Sequence, residues 1–246
     1  MQETMSRFQP MTLGDILNTT FNLYRDNFTL FAGICAVIIV PQAILVALLA
    51  ISHSVIFAIL AALISLAVPF LLTGALAQAV SARYLGRPMT VSQAYEALGT
   101  GTILTLVGVA FLSAILILIG LILFIIPGIY IAVRFVVASQ AAVLERQGVT
   151  DSLRRSWNLV EGNWWRVFGI VIVVAILVGV LEQIVSRILG AIAGDVLGVG
   201  LSTLVVGVFI QPIQAIALTL LYYDLRIRKE GGTAPVSSEP SSRWGV

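Results

Sequence analysis

An all-α fold is predicted, a polytopic bundle of six transmembrane helices in three repeated units, each preceded by a short amphipathic interfacial helix. Three observations predict it. Of the 246 residues, 59% are apolar and only 11% are charged, with a mean hydropathy of +1.04, whereas soluble domains carry about 25% charged residues. Six apolar runs each approach the ~20 residues that a helix needs to cross a bilayer. The basic residues collect in alternate links between those runs, as the positive-inside rule requires. A single membrane domain over residues 1–229 leaves no room for a separate soluble catalytic domain.

The elements follow in order. The first 27 residues are polar or amphipathic, with Glu3, Arg7, Asp15, Arg25 and Asp26 spread through them. A secretory leader would begin basic and turn apolar at once, so this segment is expected to stay in place. The apolar runs are Phe28–Ser52, Val55–Val80, Ile103–Ile126, Gly128–Leu144, Val167–Val185 and Val199–Tyr222. Pro127-Gly128 marks the turn between the third and fourth, since proline suits the first turn of a helix. Pro41 and Pro69 are expected to bend the first two. Ser186–Gly198, which carries Gly190, Gly194 and Gly198, reads as an outer re-entrant or amphipathic piece. Residues 230–246 are rich in Gly, Ser and Pro, a composition that cannot bury enough surface to fold, and form a disordered cytoplasmic tail.

Orientation comes from arginine and lysine. Arg7 and Arg25 precede the first run, Arg83 and Arg87 follow the second, and Arg146, Arg154, Arg155 and Arg166 lie between the fourth and fifth. Arg226, Arg228, Lys229 and Arg243 follow the sixth. These segments hold 12 of the 14 basic residues, which places both termini on the cytoplasmic side of the cytoplasmic membrane. Tyr24, Tyr84, Trp164, Trp165, Tyr222 and Tyr223 flank the runs on that side, as amphipathic rings do at headgroup depth.

A repeat links the amphipathic stretches. Leu17, Phe21, Tyr24 and Phe28 have the helical spacing of Leu153, Trp157, Val160 and Trp164. At an offset of 136, Asp15 meets Asp151, Asn22 meets Asn158, Leu23 meets Leu159, Asn27 meets Asn163, and Gly33-Ile34 meets Gly169-Ile170. Several of these matches are polar, so a shared apolar composition does not explain them. Val91, Tyr95, Leu98 and Thr102 keep the spacing in a weaker middle copy, opened by the capping-box pattern Thr90-Val-Ser-Gln93. The units run over about 10–86, 87–148 and 149–229. All have one orientation, a parallel rather than an inverted repeat.

Particular strings carry a resemblance. Leu13-Gly-Asp-Ile-Leu opens the chain, Ile126-Pro-Gly-Ile-Tyr130 stands in its middle, Ser156-Trp-Asn-Leu-Val-Glu-Gly-Asn-Trp-Trp-Arg166 starts the third unit, and Leu221-Tyr-Tyr-Asp-Leu-Arg-Ile-Arg-Lys229 closes it. In series over residues 10–232 they resemble the bacterial multi-pass family named after the membrane domain of glycerophosphoryl diester phosphodiesterase. The resemblance implies a helical membrane fold and supplies no catalytic residues within it. The phosphodiesterase domain to which that family is sometimes fused is not expected here, so its activity is not expected to transfer.

Residues able to carry chemistry are few. There is no HExxH, nucleophile elbow, P-loop or Cys/His cluster of ligand spacing, so no catalytic, cofactor-binding or metal site is expected. The single Cys35 is expected to be buried, and His53 to be solvated in a short link. Arg134 is the strongest candidate, because a charge within a span costs about 2.5–3.5 kcal/mol and such residues usually face a bundle interior. Glu182 is its expected ion-pair partner in the outer half of the membrane. Gln211 and Gln214 flank Pro212 and can bridge helices or line a cavity. Trp157, Trp164 and Trp165 are expected at headgroup depth, with Arg154, Arg155 and Arg166 facing anionic lipid.

The expected function is that of a non-enzymatic membrane scaffold, accessory or regulatory module in lipid or envelope homeostasis. The alternative is a small transporter or permease component with a polar cavity near Arg134, Gln211 and Gln214. The expected partners are the lipid bilayer, other membrane proteins or a second copy of the chain, and no nucleic acid.

Overall fold

A computed structural model describes residues 10–51 and 55–231, with side-chain packing described for all of these except 45–67 and 195–199. His53 and the tail beyond Gly231 lie outside the described residues. No strand occurs among those described. The helices are α1 (Leu13–Asp26), α2 (Phe28–Ile51), α3 (Val55–Tyr84), α4 (Val91–Glu96), α5 (Thr100–Leu123), α6 (Ile125–Arg134), α7 (Ala138–Leu144), α8 (Val149–Val160), α9 (Trp164–Val205) and α10 (Gln211–Glu230).

Four stretches are long and apolar enough to cross a membrane: Thr100–Leu123, Ile125–Leu144, Trp164–Gly194 and Gly200–Glu230. A fifth arises if α1 and Phe28–Ile44, bent by 77° at Asn27, count as one span. The multi-pass membrane architecture is thus present in coarse form. Large apolar side chains remain exposed along α5 and the start of α6, among them Phe111, Ile122, Phe124 and Ile126, the surface that a hydrocarbon environment would cover.

Local chemistry explains the helix starts. Thr12 caps α1, with Thr12 Oγ1 accepting from the Asp15 amide at 3.2 Å and the Asp15 carboxylate accepting from the Thr12 amide at 2.8 Å. The expected box at Thr90 is formed in the same way with Gln93. The amphipathic faces are shorter than their spacing suggested. The chain breaks at Asn27, at Ala97–Gly99 and at residues 161–163, so Phe28, Thr102 and Trp164 already belong to the following helices. Each short helix turns its most apolar or smallest residues inward: Ile16 and Thr20 on α1, Ala94 on α4, and Ser152, Leu153, Ser156, Leu159 and Val160 on α8. Phe21, on the expected buried face, is 63% exposed.

The turn between the third and fourth runs comes at Phe124, whose extended backbone separates α5 from α6, and not at Pro127-Gly128. Pro127 sits within the first turn of α6, where its missing amide has no helical partner to lose. Gly128 serves close approach: a Cβ there would lie 2.4 Å from Leu121 Cγ and 2.8 Å from the Leu121 amide nitrogen. The fourth run is itself broken at Phe135–Val137, between α6 and α7. Ser186–Gly198 is not a separate re-entrant piece up to Gly194. The helix begun at Trp164 continues to that residue and breaks there, at φ +75° and ψ 172°.

Pro212 has the effect expected of it. It removes the amide that would bond to the Val208 carbonyl, and residues Val206–Ile210 widen into a π turn. The Tyr24 hydroxyl donates to the nearby Phe209 carbonyl at 2.7 Å, tying α1 to this turn. Helix α10 is the centre of the bundle. It packs on α1, α2, α3, α7, α8 and α9, and every residue from Thr219 to Leu225 is buried.

Candidate functional site

Arg134 ends α6 and is 8% exposed. Its Nε donates to the Tyr130 hydroxyl at 3.0 Å and its Nη1 to the Trp157 carbonyl at 3.0 Å. The guanidinium lies 4.7 Å from the Trp157 ring centre and 5.1 Å from that of Tyr130, close enough for cation–π attraction. The Ser156 hydroxyl donates to the Arg134 carbonyl at 2.7 Å, and Trp164 Nε1 to the Tyr130 carbonyl at 3.2 Å. Tyr130 also stacks on Trp164, and Trp164 on Phe168. The contacts with Ser156 and Trp157 join α6 to α8, and those with Trp164 join it to the start of α9. The arrangement is a clamp.

The expected ion pair with Glu182 is not formed. Helix α9 begins beside Tyr130, and the 18 residues from Trp164 to Glu182 carry the carboxylate about 27 Å along the helix at 1.5 Å per residue. Glu182 instead lines an open apolar groove on its own helix with Ile176, Val180, Gln183 and Arg187. The charge of Arg134 is accommodated by aromatic faces and carbonyl oxygens, which a search for opposite charges does not reveal.

Gln211 and Gln214 do meet in a cavity of about 150 Å³, but away from Arg134. The cavity is closed by Thr73 and Leu76 of α3, Gln140 of α7 and Thr219 of α10. Gln140 is 3% exposed, and its Oε1 lacks a hydrogen-bond partner. Sequence reasoning passed over Gln140; a glutamine inside an apolar run was the available signal.

Two ion networks knit the ends of the helices together. Asp224 of α10 is fully buried. It accepts from the Met11 amide at 2.7 Å, from Arg166 Nη1 at 2.5 Å and from Arg228 Nε at 3.1 Å, while Arg166 and Arg228 both also donate to the Met11 carbonyl. In the second network Arg155 pairs with Glu145 at 2.8 Å and also with Glu230, and Glu230 holds Arg226 at 2.8 Å. The Tyr222 hydroxyl donates to Glu145. Burial works against the charged form of Arg155, but hydrogen bonds and charge from Glu230 and Glu145 outweigh it and raise its pKa.

These contacts correct the expectation that Arg154, Arg155 and Arg166 all face lipid. Arg154 and Trp165 are exposed, whereas Arg155 and Arg166 turn inward to carboxylates delivered by α10 and by the end of α7. Trp157 and Trp164 are partly buried in the Arg134 clamp. Cys35 is fully buried, as expected. Among the described residues no group of three or more His, Cys, Asp or Glu could hold a metal ion.

The clamp, most of the glutamine cavity and most of both networks lie beyond residue 87. Residues 88–225 match a family model described as a domain of unknown function, DUF7847. The chain belongs to this family. No curated protein and no solved structure gives a match. The DUF7847 region runs from just before α4 to Leu225, and so takes in Arg134, Trp157, Gln140, Arg166 and Asp224. Met11, Arg226, Arg228 and Glu230, which complete the two networks, stand outside it.

Proposed function

We propose that the chain is a non-enzymatic module of the cytoplasmic membrane, an accessory or regulatory scaffold in lipid or envelope homeostasis, with both termini cytoplasmic. One observation carries this reading: most of the buried charge is used to join helices. Asp224 draws the start of α1, the start of α9 and α10 to one point, and Glu145 with Glu230 does the same for α7, α8 and α10. Charged groups engaged in this way are poor candidates for proton transfer or nucleophilic attack, which need a group free to change its bonding.

Six spans in three units is the arrangement we favour. Matching geometry at the offset of 136 supports it. Asn27 (φ −126°, ψ 28°) and Asn163 (φ −121°, ψ 17°) break the chain alike, and the Phe31 and Val167 amides bond back to their carbonyls at 3.1 and 3.0 Å. The lipid connection rests on the resemblance to the membrane domain of glycerophosphoryl diester phosphodiesterase.

A permease component is the second reading, favoured by the Gln140–Gln211–Gln214 cavity. Reconstitution into sealed vesicles separates the two. The scaffold reading expects no solute flux above protein-free vesicles, and a photo-crosslinker at Phe111 or Ile126 in living cells capturing one discrete membrane-protein adduct. Catalysed flux that is lost in Gln140→Leu would overturn it in favour of the permease.

A further inference from the structure

Where α3, α7 and α10 end together, a second cavity of about 160 Å³ opens between them. It has a different chemistry from the glutamine cavity. Its charged lining consists of Arg87, Arg146 and Arg226, with Gln78, Ser81 and Tyr223 as uncharged polar groups. No carboxylate lines it. Among the described residues, neither Arg87 nor Arg146 has a carboxylate oxygen within 4 Å. Arg226 does have a partner, Glu230, but that carboxylate is shared with Arg155. Glu145, next in sequence to Arg146, is already bound by Arg155 and Tyr222. Arg83 donates to the Met89 carbonyl at the rim, and its Nε has no partner. Five arginines and two carboxylates around this space leave an excess of three positive charges.

The uncharged groups are held in place. The Ser81 and Tyr223 hydroxyls share a hydrogen bond of 2.6 Å, and Gln78 Nε2 donates to the Val143 carbonyl at 3.3 Å. Arg146 is held at φ +51°, the only non-glycine residue with positive φ among those described. Left-handed backbone is disfavoured for a residue with a long side chain, and glycine or asparagine would fill such a turn at less cost. Strain of this kind recurs at binding sites. Arginines that serve only the positive-inside rule spread over an interface; here Arg87 and Arg146 stand exposed at the mouth of one cavity, with the less exposed Gln78, Ser81 and Tyr223 also in its lining.

We propose that this cavity binds a phosphate group, held by Arg87, Arg146 and Arg226 and seated against Ser81 and Tyr223. A doubly charged tetrahedral oxyanion matches several converging guanidinium forks, each able to bond two oxygens. The volume is far more than the ~15 Å³ that one water needs. The phosphate group could be free or could head a lipid, and basic pockets between membrane helices are suited to either.

The test uses the full chain, purified in detergent and stripped of lipid, with Arg146→Gly, Arg87→Gln and, at an arginine outside the cavity lining, Arg154→Gln as variants. Glycine relieves the positive φ, so Arg146→Gly should melt no lower than the wild type, which separates binding from folding. One arm titrates inorganic phosphate by calorimetry. The other measures retention of phosphatidic acid against phosphatidylcholine in lipid nanodiscs by native mass spectrometry. Saturable binding in either arm is expected, weakened about tenfold or more in Arg146→Gly and Arg87→Gln and unchanged in Arg154→Gln. Binding in the first arm identifies free phosphate, and binding in the second alone identifies a lipid headgroup. Absence of saturable binding in both arms, or an equal loss in Arg154→Gln, would overturn the proposal.

Discussion

Replacing Asp224 with leucine should destabilise the whole bundle, because one carboxylate holds three elements. Its oxygens accept from the Met11 amide, Arg166 and Arg228 at 2.5–3.1 Å, and the residue is completely buried. Leucine would strand two guanidinium groups and a backbone amide. Removing one partner of a buried pair costs roughly 3–5 kcal/mol. The side chains of Arg166 and Arg228 are 25% and 28% exposed, so water recovers part of that loss and about 3 kcal/mol is expected. For a chain of this size each kcal/mol shifts Tm by roughly 2–4 °C, giving a fall of about 6–12 °C. Asp224→Asn keeps the shape and one acceptor, and should fall between the wild type and Asp224→Leu. The assay is fluorescence-detected size-exclusion after heating in detergent. A Tm for Asp224→Leu within about 2 °C of the wild type would refute the reasoning, since the network would then contribute nothing to the fold.

Further outcomes can be checked in the same system. Gly128→Ala should cost about 1–3 kcal/mol by overpacking, because the new methyl would meet the Leu121 backbone, while Gly179→Ala, facing open space, should be neutral or slightly stabilising. Arg134→Leu should lower the melting temperature and Glu182→Leu should not, with the double variant additive to within about 0.5 kcal/mol; rescue of one change by the other would restore the abandoned ion pair. In a Cys35→Ala background, cysteines at Pro88 and Gly148 should be inaccessible to an impermeant thiol reagent outside sealed cells and one at Gly194 accessible. Native Cys35, fully buried, should not react in the folded protein.

Much of the fold was legible because apolar run length and helix-start chemistry are local. The four apolar runs from α5 to α10 and the box at Thr90 needed no knowledge of distant contacts. What failed was the choice of partners. Arg134 was matched to Glu182 by sign and depth, but the start of α9 beside Tyr130 fixes Glu182 far away and leaves π faces and carbonyls for the arginine. Arg166 was assigned to lipid because its acid, Asp224, lies 58 residues away, and Arg155 because the turn that brings Glu145, ten residues before it, and Glu230, 75 after it, to one point was not visible. Gln211 and Gln214 line a cavity, but not one near Arg134, and their neighbour Gln140 was hidden in a run read only for hydropathy.

The π turn before Gln211 has one more effect. An extra residue in a regular α-helix would rotate everything after it by about 100°, since each residue advances 100° around the axis, but the wider π turn absorbs it. The turn therefore keeps the angular phase of α10 in line with the helix before it. With the present phase Gln211, Thr219, Tyr223 and Arg226 all point along one side, toward α3 and α7. Excising a single residue from Val206–Ile210 would restore regular α-helical winding and leave that polar edge close to where it is, whereas inserting one would swing it away from the seam by about 100°. A one-residue insertion here would thus disturb both cavities at once.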